Sequence, residues 1–127
     1  MTSIFSKIIA GEIPCHRVWE DEKHLAFLDI RPTRPGHTLV IPKREVDYLF
    51  DLEPQEYAEL WEAVRTVEAH LKSRLGCERV IVMVIGWEVR HVHVHLIPTN
   101  AIHDVGMPPA ADVSQEQMEA LAEMLCS

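Results

Sequence analysis

Residues 86–98 of the chain read GWEVRHVHVHLIP. In this run His91, His93 and His95 alternate with branched apolar residues. Because the side chains of an extended strand alternate between its two faces, the three imidazoles are predicted to share one face, each about 6.6 Å from the next, while the apolar residues enter a core. We therefore expect a strand over residues 89–97 that presents a row of histidines on one side of a sheet.

A row of imidazoles indicates chemistry near neutral pH, since histidine serves there as a base, a nucleophile or a metal ligand. Two imidazolium charges about 7 Å apart repel by about 2.4 kcal/mol at an effective dielectric constant of about 20. That energy corresponds to nearly two pKa units, with about 1.36 kcal/mol per unit. All three rings cannot carry a charge at pH 7, so at least one is expected to be neutral and able to attack an electrophile.

The rest of the chain predicts an α+β fold in a single domain over residues 1–127. Apolar runs bounded by Pro, Gly and charged residues indicate four further strands, of which the first two form a hairpin and the last is buried. These strands are expected at residues 17–20, 24–29, 37–41 and 80–85. The total is about five mostly antiparallel strands.

Two helices complete the prediction, one long and one at the C-terminus. The long helix runs over residues 54–75, because Pro54 suits the first helical position and Gly76 supplies the residue that ends it. The C-terminal helix begins at Ser114, which forms a capping box with Gln117. Its apolar side chains are expected to face inward: Met118, Leu121, Ala122 and Leu125.

Composition limits the partners and the compartment. The net charge of −8 disfavours nucleic acid as a partner, because a phosphate backbone needs a basic footprint. No run approaches the ~20 apolar residues of a membrane span, so no membrane partner is expected. Cys15, Cys77 and Cys126 are widely spaced and form no metal or redox motif, which predicts a reducing, cytoplasmic location.

The run of residues 91–97 resembles the signature of the histidine triad (HIT) superfamily of nucleotide hydrolases and transferases. Residues 4–14, 25–30 and 35–43 resemble further blocks of that family in register. The resemblance implies a HIT-like fold, a purine nucleotide as substrate, no cofactor, and a homodimer whose sheets join across the two-fold axis.

The resemblance also implies a role for each histidine. His93 corresponds to a nucleophile that attacks the α-phosphate of a nucleoside monophosphate conjugate, such as a phosphoramidate or a small dinucleotide or adenylate, and forms a nucleotidyl-histidine. His95 and His37 would neutralise charge on the phosphate oxygens, and His91 would orient the nucleophile. Asp29 would accept hydrogen bonds from the ribose. The base pocket would be walled by Ile4, Phe5, Ile8, Phe27, Ile30 and Leu39.

The chain departs from the family pattern at two places. Trp87 stands where many members have a glutamine amide that contacts the phosphate or the leaving group, and Glu88 adds an acidic side chain beside it. This change favours small substrates over long dinucleotide polyphosphates. Some members also hold a structural zinc through an N-terminal Cys-x-x-Cys, but this chain has Ser3 and Ser6 there and Glu45 further on, so we expect no metal site.

Two other functions stay open from the sequence. The strand histidines are suited to a metal-dependent enzyme of another class, because neutral imidazoles bind zinc. The altered segment before the triad is also consistent with a nucleotide-binding module that has little catalytic activity.

Overall fold

A computed structural model describes residues 2–127 of the chain. Its centre is one five-stranded sheet in which every neighbouring pair is antiparallel and the spatial order is β1-β2-β3-β5-β4. The strands are β1 (Arg17–Glu20), β2 (His24–Leu28), β3 (Thr38–Pro42), β4 (Arg79–Val84) and β5 (Val94–Thr99). The predicted α+β class, the number of strands and the first hairpin are confirmed.

The sheet buries a different cluster on each face. One face packs on the long helix α2 (Pro54–Leu75). The opposite face carries Leu25, Phe27, Leu39 and Ile41, covered by the short helix α1 (Ile4–Ile9) through Phe5. The long helix ends as predicted, with Gly76 in the left-handed conformation at a φ of 70°.

The histidine strand is shorter than predicted. The alternation indicated a strand over residues 89–97, whereas β5 starts only at Val94. Opposite residues 91–93, the neighbouring strand ends at Pro42, which has no N–H to continue the ladder. Val92 instead donates its N–H to the carbonyl of Val46 at 2.8 Å. The apolar part of the pattern is nevertheless right, because Val92, Val94 and Leu96 are buried.

The strand predicted at residues 80–85 forms as β4, but the prediction that it is buried is wrong, because β4 lies at the edge of the sheet. Val82 and Val84 are 44% and 37% exposed, and Ile85 after the strand is 43% exposed. A continuous apolar run is typical of a strand covered on both faces. In the isolated chain, however, β4 pairs on one side only, with β5.

The C-terminal helix α3 (Gln115–Cys126) forms where its capping box predicts, with Ser114 and Gln117 bonded reciprocally. Its apolar face is not inward, however, because no residue of α3 is buried and Leu125 is 77% exposed. The cap is a local signal, whereas burial depends on another element against which the apolar stripe can pack, and no element of the described chain covers it. Short 3₁₀ turns occur at Leu49–Asp51 and Ile102–Asp104.

Within residues 2–127, no helix combines the length and the apolar character that crossing a bilayer requires.

Candidate active site

Cross-strand neighbours build the floor of the site. Phe27 of β2 lies opposite Leu39 of β3, and Leu39 lies opposite His95 of β5, so all three side chains share the face that α1 covers. Phe5 of α1 packs above them, with its ring centroid 5.6 Å from that of Phe27 and 4.9 Å from that of His93. An apolar wall therefore ends against two imidazoles.

A cavity of about 580 Å³ opens on this floor. It brings together most of the residues predicted for the site: Ile4, Phe5, Ile8, Phe27, Asp29, Ile30, Leu39, Trp87, His93 and His95. His37 and His91 do not line it, because both side chains are buried behind the wall. The sequence reasoning missed several wall residues, which carry no signal beyond their apolar or loop character: Ile13, Pro14, Cys15, Leu28, Arg31, Ile85 and Val89.

The ring of His93 is held by the backbone of the residue two positions before it. Its Nδ1 lies 2.8 Å from the carbonyl oxygen of His91, and a carbonyl only accepts hydrogen bonds. The proton of the neutral ring therefore sits on Nδ1. Nε2 is left with a free lone pair, and an imidazole nitrogen in this state can attack an electrophile.

His37 and His95 form a second pair in which the positions of the protons follow from the partners. The amide N–H of Thr33 donates to Nδ1 of His37 at 3.0 Å, so the proton of His37 is on Nε2. That Nε2 lies 2.9 Å from Nδ1 of His95 and donates to it. His95 consequently carries its own proton on Nε2 and can act as a hydrogen-bond donor toward an anion.

The fold lowers the pKa of three histidines here, His37, His91 and His95, which favours their neutral forms. Burial, together with the neighbouring rings of His93 and His37, lowers the pKa of His95 to about 4, although the carboxylate of Asp29 opposes the shift. Burial also lowers the pKa of His37, although the nearby carboxylate of Asp29 opposes the shift. Burial also lowers the pKa of His91, although the hydrogen bond to the carbonyl of Pro42 and the negative charge of Glu45 oppose the shift. These directions agree with the expectation that at least one ring is neutral at pH 7, which stays a prediction.

Asp29 stands at the rim of the cavity beside the second histidine pair. Its Oδ2 lies 3.5 Å from Nε2 of His37, while its Oδ1 accepts the N–H of Arg31 at 2.9 Å. The ligand atoms of Asp29, His37 and His95 all lie within 4.8 Å of one another, so these three side chains are able to hold a metal ion.

His91 does not line this cavity with the other two triad histidines. It is fully buried, and its Nε2 donates to the carbonyl of Pro42 at 2.8 Å. Its Nδ1 lies 2.7 Å from the hydroxyl of Ser3. Sequence reasoning did not connect Ser3 or Pro42 with the triad, although Pro42 was evident as the end of a strand.

The segment before the triad separates this cavity from a second one of about 700 Å³. Trp87 is 80% exposed and lines both cavities, as does His93. The guanidinium of Arg90 lies 5.8 Å from the centre of the Trp87 ring, within reach of a cation–π interaction. The ring of His93, whose Nε2 has the free lone pair, therefore lines both cavities.

Comparison with known protein families identifies the family to which these histidines point. A model of the HIT domain matches residues 10–102. The chain belongs to the HIT family. It is 36% identical over 134 residues to the adenosine 5′-monophosphoramidase of Schizosaccharomyces pombe, in an alignment that covers 100% of this chain and 98% of that protein. The resemblance that the triad indicated is therefore confirmed.

Solved HIT structures share the fold over nearly the whole chain. A member of the HIT family from Bacillus subtilis superimposes with a TM-score of 0.84 at 29% identity and covers 99% of this chain and 96% of its own. A histidine triad nucleotide-binding protein from Candida albicans gives a TM-score of 0.75 at 30% identity, with coverage of 98% and 95%.

Proposed function

We propose that this HIT protein is a nucleotide hydrolase or transferase that acts at the α-phosphate of a purine nucleoside monophosphate conjugate through a nucleotidyl-His93 intermediate. One observation carries the proposal. The carbonyl oxygen of His91 accepts a hydrogen bond from Nδ1–H of His93 at 2.8 Å. Nε2 of this ring, which lines the cavity, is therefore free to act as a nucleophile. Covalent catalysis by such a nitrogen splits one difficult displacement into two easier steps.

The cavity suits a nucleoside. Phe5, Phe27 and Leu39 are apolar and more than nine-tenths buried, so they offer flat and branched surfaces to a purine base. Asp29 at the rim accepts hydrogen bonds from the ribose hydroxyls, since a carboxylate is a strong acceptor for two adjacent donors. The more exposed Ile4 and Ile30 close the outer edge of the base pocket.

The first chemical step forms a bond between Nε2 of His93 and the α-phosphorus, and the bond from phosphorus to the leaving amine breaks. The amine departs with a proton from water. Nε2–H of His95 donates to a non-bridging oxygen as charge develops there, and His37 fixes His95 in that tautomer. Water then attacks the phosphorus and gives a proton to the hydroxide left by the first step, the bond to Nε2 breaks and returns its electron pair to that nitrogen, and the nucleoside monophosphate leaves.

A phosphoramidate is the substrate class that we favour. The S. pombe relative is an adenosine 5′-monophosphoramidase, and the alignment spans the whole of this chain. Trp87 and Glu88 both line the cavity ahead of the triad, where an apolar ring and an acidic group are poor partners for a chain of further phosphates. The leaving group is therefore small and carries little negative charge.

We also propose a homodimer built across β4. This edge strand exposes Val82 and Val84, and unpaired edge strands are templates for pairing with another chain. Beside it lies a row of exposed aromatic residues, Tyr48, Phe50 and Tyr57, with ring centroids 5.4 and 6.4 Å apart along the row. Within residues 2–127 the buried Nε1 of Trp61, next in this row, has no acceptor.

A second copy of the chain is the occupant that fits this surface. Two antiparallel β4 strands related by a two-fold axis would extend the sheet and bury both apolar edges, with each copy offering the same surface to the other. The larger cavity, which Tyr48, Phe50 and Val84 line together with His93, would then lie at the dimer boundary.

A metal-dependent enzyme is the second candidate, and one observation favours it. Asp29, His37 and His95 bring three ligand atoms within 4.8 Å, a spacing that a divalent cation can bridge. In that case activity would require a stoichiometric metal and would be lost in a chelator. In the reaction proposed above, a chelator has no effect.

Turnover of a panel of adenosine 5′-phosphoramidates with a fluorogenic amine, in a chelator, tests the proposal. The native protein and His93→Ala are compared, with binding of AMP measured for both. Release by the native protein alone supports covalent chemistry at His93. Equal release by both proteins would refute it, and AMP binding without turnover by either would favour a binding module.

A further inference from the structure

A cluster of polar side chains outside the cavity converges on His91. The hydroxyl oxygen of Ser3 lies 2.7 Å from Nδ1 of His91, and that of Ser6 lies 3.5 Å from the same atom. The carboxylate of Glu45 contacts both serines. None of these three side chains lines the cavity, so the reaction proposed above does not use them directly.

The direction of each hydrogen bond follows from the fixed partners. His91 donates its Nε2–H to the carbonyl of Pro42, so Nδ1 of the neutral ring carries a lone pair and needs a donor. The hydroxyl of Ser6 donates to Oε1 of Glu45 at 2.7 Å, and its proton is thereby engaged elsewhere. The hydroxyl of Ser3 is left as the donor to His91, while its oxygen accepts the N–H of Ser6 at 3.0 Å.

Ser3 therefore connects two structures that meet at His93. It is the N-cap of α1, and Phe5 of that helix packs edge-on against the His93 ring with centroids 4.9 Å apart. It also holds the His91 ring, whose own backbone carbonyl accepts the Nδ1–H of His93. Oε1 of Glu45 accepts a hydrogen bond from the backbone N–H of Ser3 at 2.7 Å and so holds the Ser3 backbone in place.

We propose that Ser3 is a positioning residue of the reaction, whose hydroxyl, oriented by Glu45 and Ser6, donates to Nδ1 of His91 and thereby sets the orientation of the His93 nucleophile. The role in catalysis rests on the proposed function, whereas the hydrogen bond itself does not. Loss of the donor lets the His91 segment shift, and displacement of a nucleophile by a fraction of an ångström reduces the rate without weakening substrate binding.

Two substitutions separate the donor from the helix cap. Ser3→Gly removes the hydroxyl, yet glycine is accepted at an N-cap with only a small loss of helix stability. Ser3→Thr keeps both the cap and the donor. Ser114→Gly is the matched control, because Ser114 caps α3 in the same manner, by accepting the N–H of the residue three positions on, and touches no part of the site.

The experiment measures kcat, KM and thermal unfolding, together with the ¹⁵N resonances of the histidine rings. For Ser3→Gly we expect kcat to fall about tenfold with KM unchanged. The Nδ1 resonance of His91 should move toward that of an imidazole nitrogen without a donor. Ser3→Thr should restore both readouts, and Ser114→Gly should change neither.

Two outcomes would overturn the proposal. One is an unchanged His91 Nδ1 resonance in Ser3→Gly, which would mean that the hydroxyl is not its donor. The other is a loss of kcat in Ser3→Gly that merely follows a loss of folded protein, or that Ser3→Thr does not restore. If the native protein turns over no phosphoramidate, the proposed function fails, while the His91 resonance still decides whether Ser3 holds the ring.

Discussion

Nε2 of His37 lies 2.9 Å from Nδ1 of His95, and the proton between them belongs to His37 because the Thr33 amide occupies its other ring nitrogen. The tautomer of one buried ring thus determines which nitrogen of the next ring carries a proton toward the cavity. A neutral hydrogen-bond donor is thereby aimed at the substrate.

The first prediction concerns this pair. His37→Ala removes the donor to His95 and frees its ring to adopt either tautomer, so we expect kcat for an adenosine phosphoramidate to fall about tenfold to hundredfold with a smaller change in KM. Steady-state kinetics measures both constants. His70→Ala is the matched control, since His70 is exposed on α2 and should leave both constants unaltered. A native kcat in His37→Ala would contradict this role.

Asp29 allows a prediction about binding. Asp29→Asn keeps an oxygen for the N–H of Arg31 but removes the negative charge that the ribose hydroxyls would face. We expect KM and the Kd for AMP to rise about tenfold, because a hydrogen bond to a charged group contributes about 1.5–3 kcal/mol. Isothermal titration measures the Kd. Asp112→Asn, at an exposed position between the sheet and α3, should bind AMP normally.

The buried rings also predict how stability depends on pH. Their pKa values are lowered in the folded protein, to about 4 for His95, whereas an unfolded histidine titrates near 6.5. Between these two values the unfolded chain binds more protons, so the free energy of unfolding falls as the pH drops from about 6.5 toward 4. Above about pH 7 these rings are neutral in both states and contribute no pH dependence.

Urea unfolding at a series of pH values measures this effect. Replacing one buried ring, as in His95→Gln, should flatten the decline between pH 6.5 and 4, while His70→Gln should reproduce the native slope because that side chain is exposed. Parallel pH profiles for native protein and His95→Gln would show that His95 is not held neutral by the fold.

The exposed edge of the sheet predicts the effect of a charge on assembly. Val82→Asp places a carboxylate on β4 where a second strand would pair, so light scattering should report a dimer for the native protein and a monomer for the variant. Val113→Asp, at a residue with a similar 40% exposure away from the sheet, should stay dimeric. A native monomer, or two dimeric variants, would contradict an interface at β4.

Much of the fold was predictable because its signals are local. The hairpin of β1 and β2, the helix ended by Gly76 and the capping box at Ser114 each depend on a few neighbouring residues. The exposure of β4 and α3 was not predictable, since an apolar run or stripe shows that a surface avoids water but not whether the same chain covers it. The late start of the histidine strand, at Val94, was set by Pro42 on a different strand.

Most of the residues that gather around the cavity were predictable from the triad and its resemblance, but the arrangement of protons on the histidines was not. The tautomer of His95 depends on His37, which is 58 residues away, and on one backbone amide. The ring of His91 depends on Ser3, 88 residues away. Such pairings become apparent only when the sheet and α1 bring distant segments together.

The stereochemical course at phosphorus is the measurement that most directly tests a nucleotidyl-His93 intermediate. An adenosine 5′-phosphoramidothioate of known configuration at the α-phosphorus is hydrolysed by the native protein in oxygen-18 water, and the configuration of the product is read by ³¹P NMR. Two in-line displacements, first by Nε2 of His93 and then by water, give overall retention. Inversion would mean that water attacks the substrate directly, and it would contradict a covalent intermediate at His93.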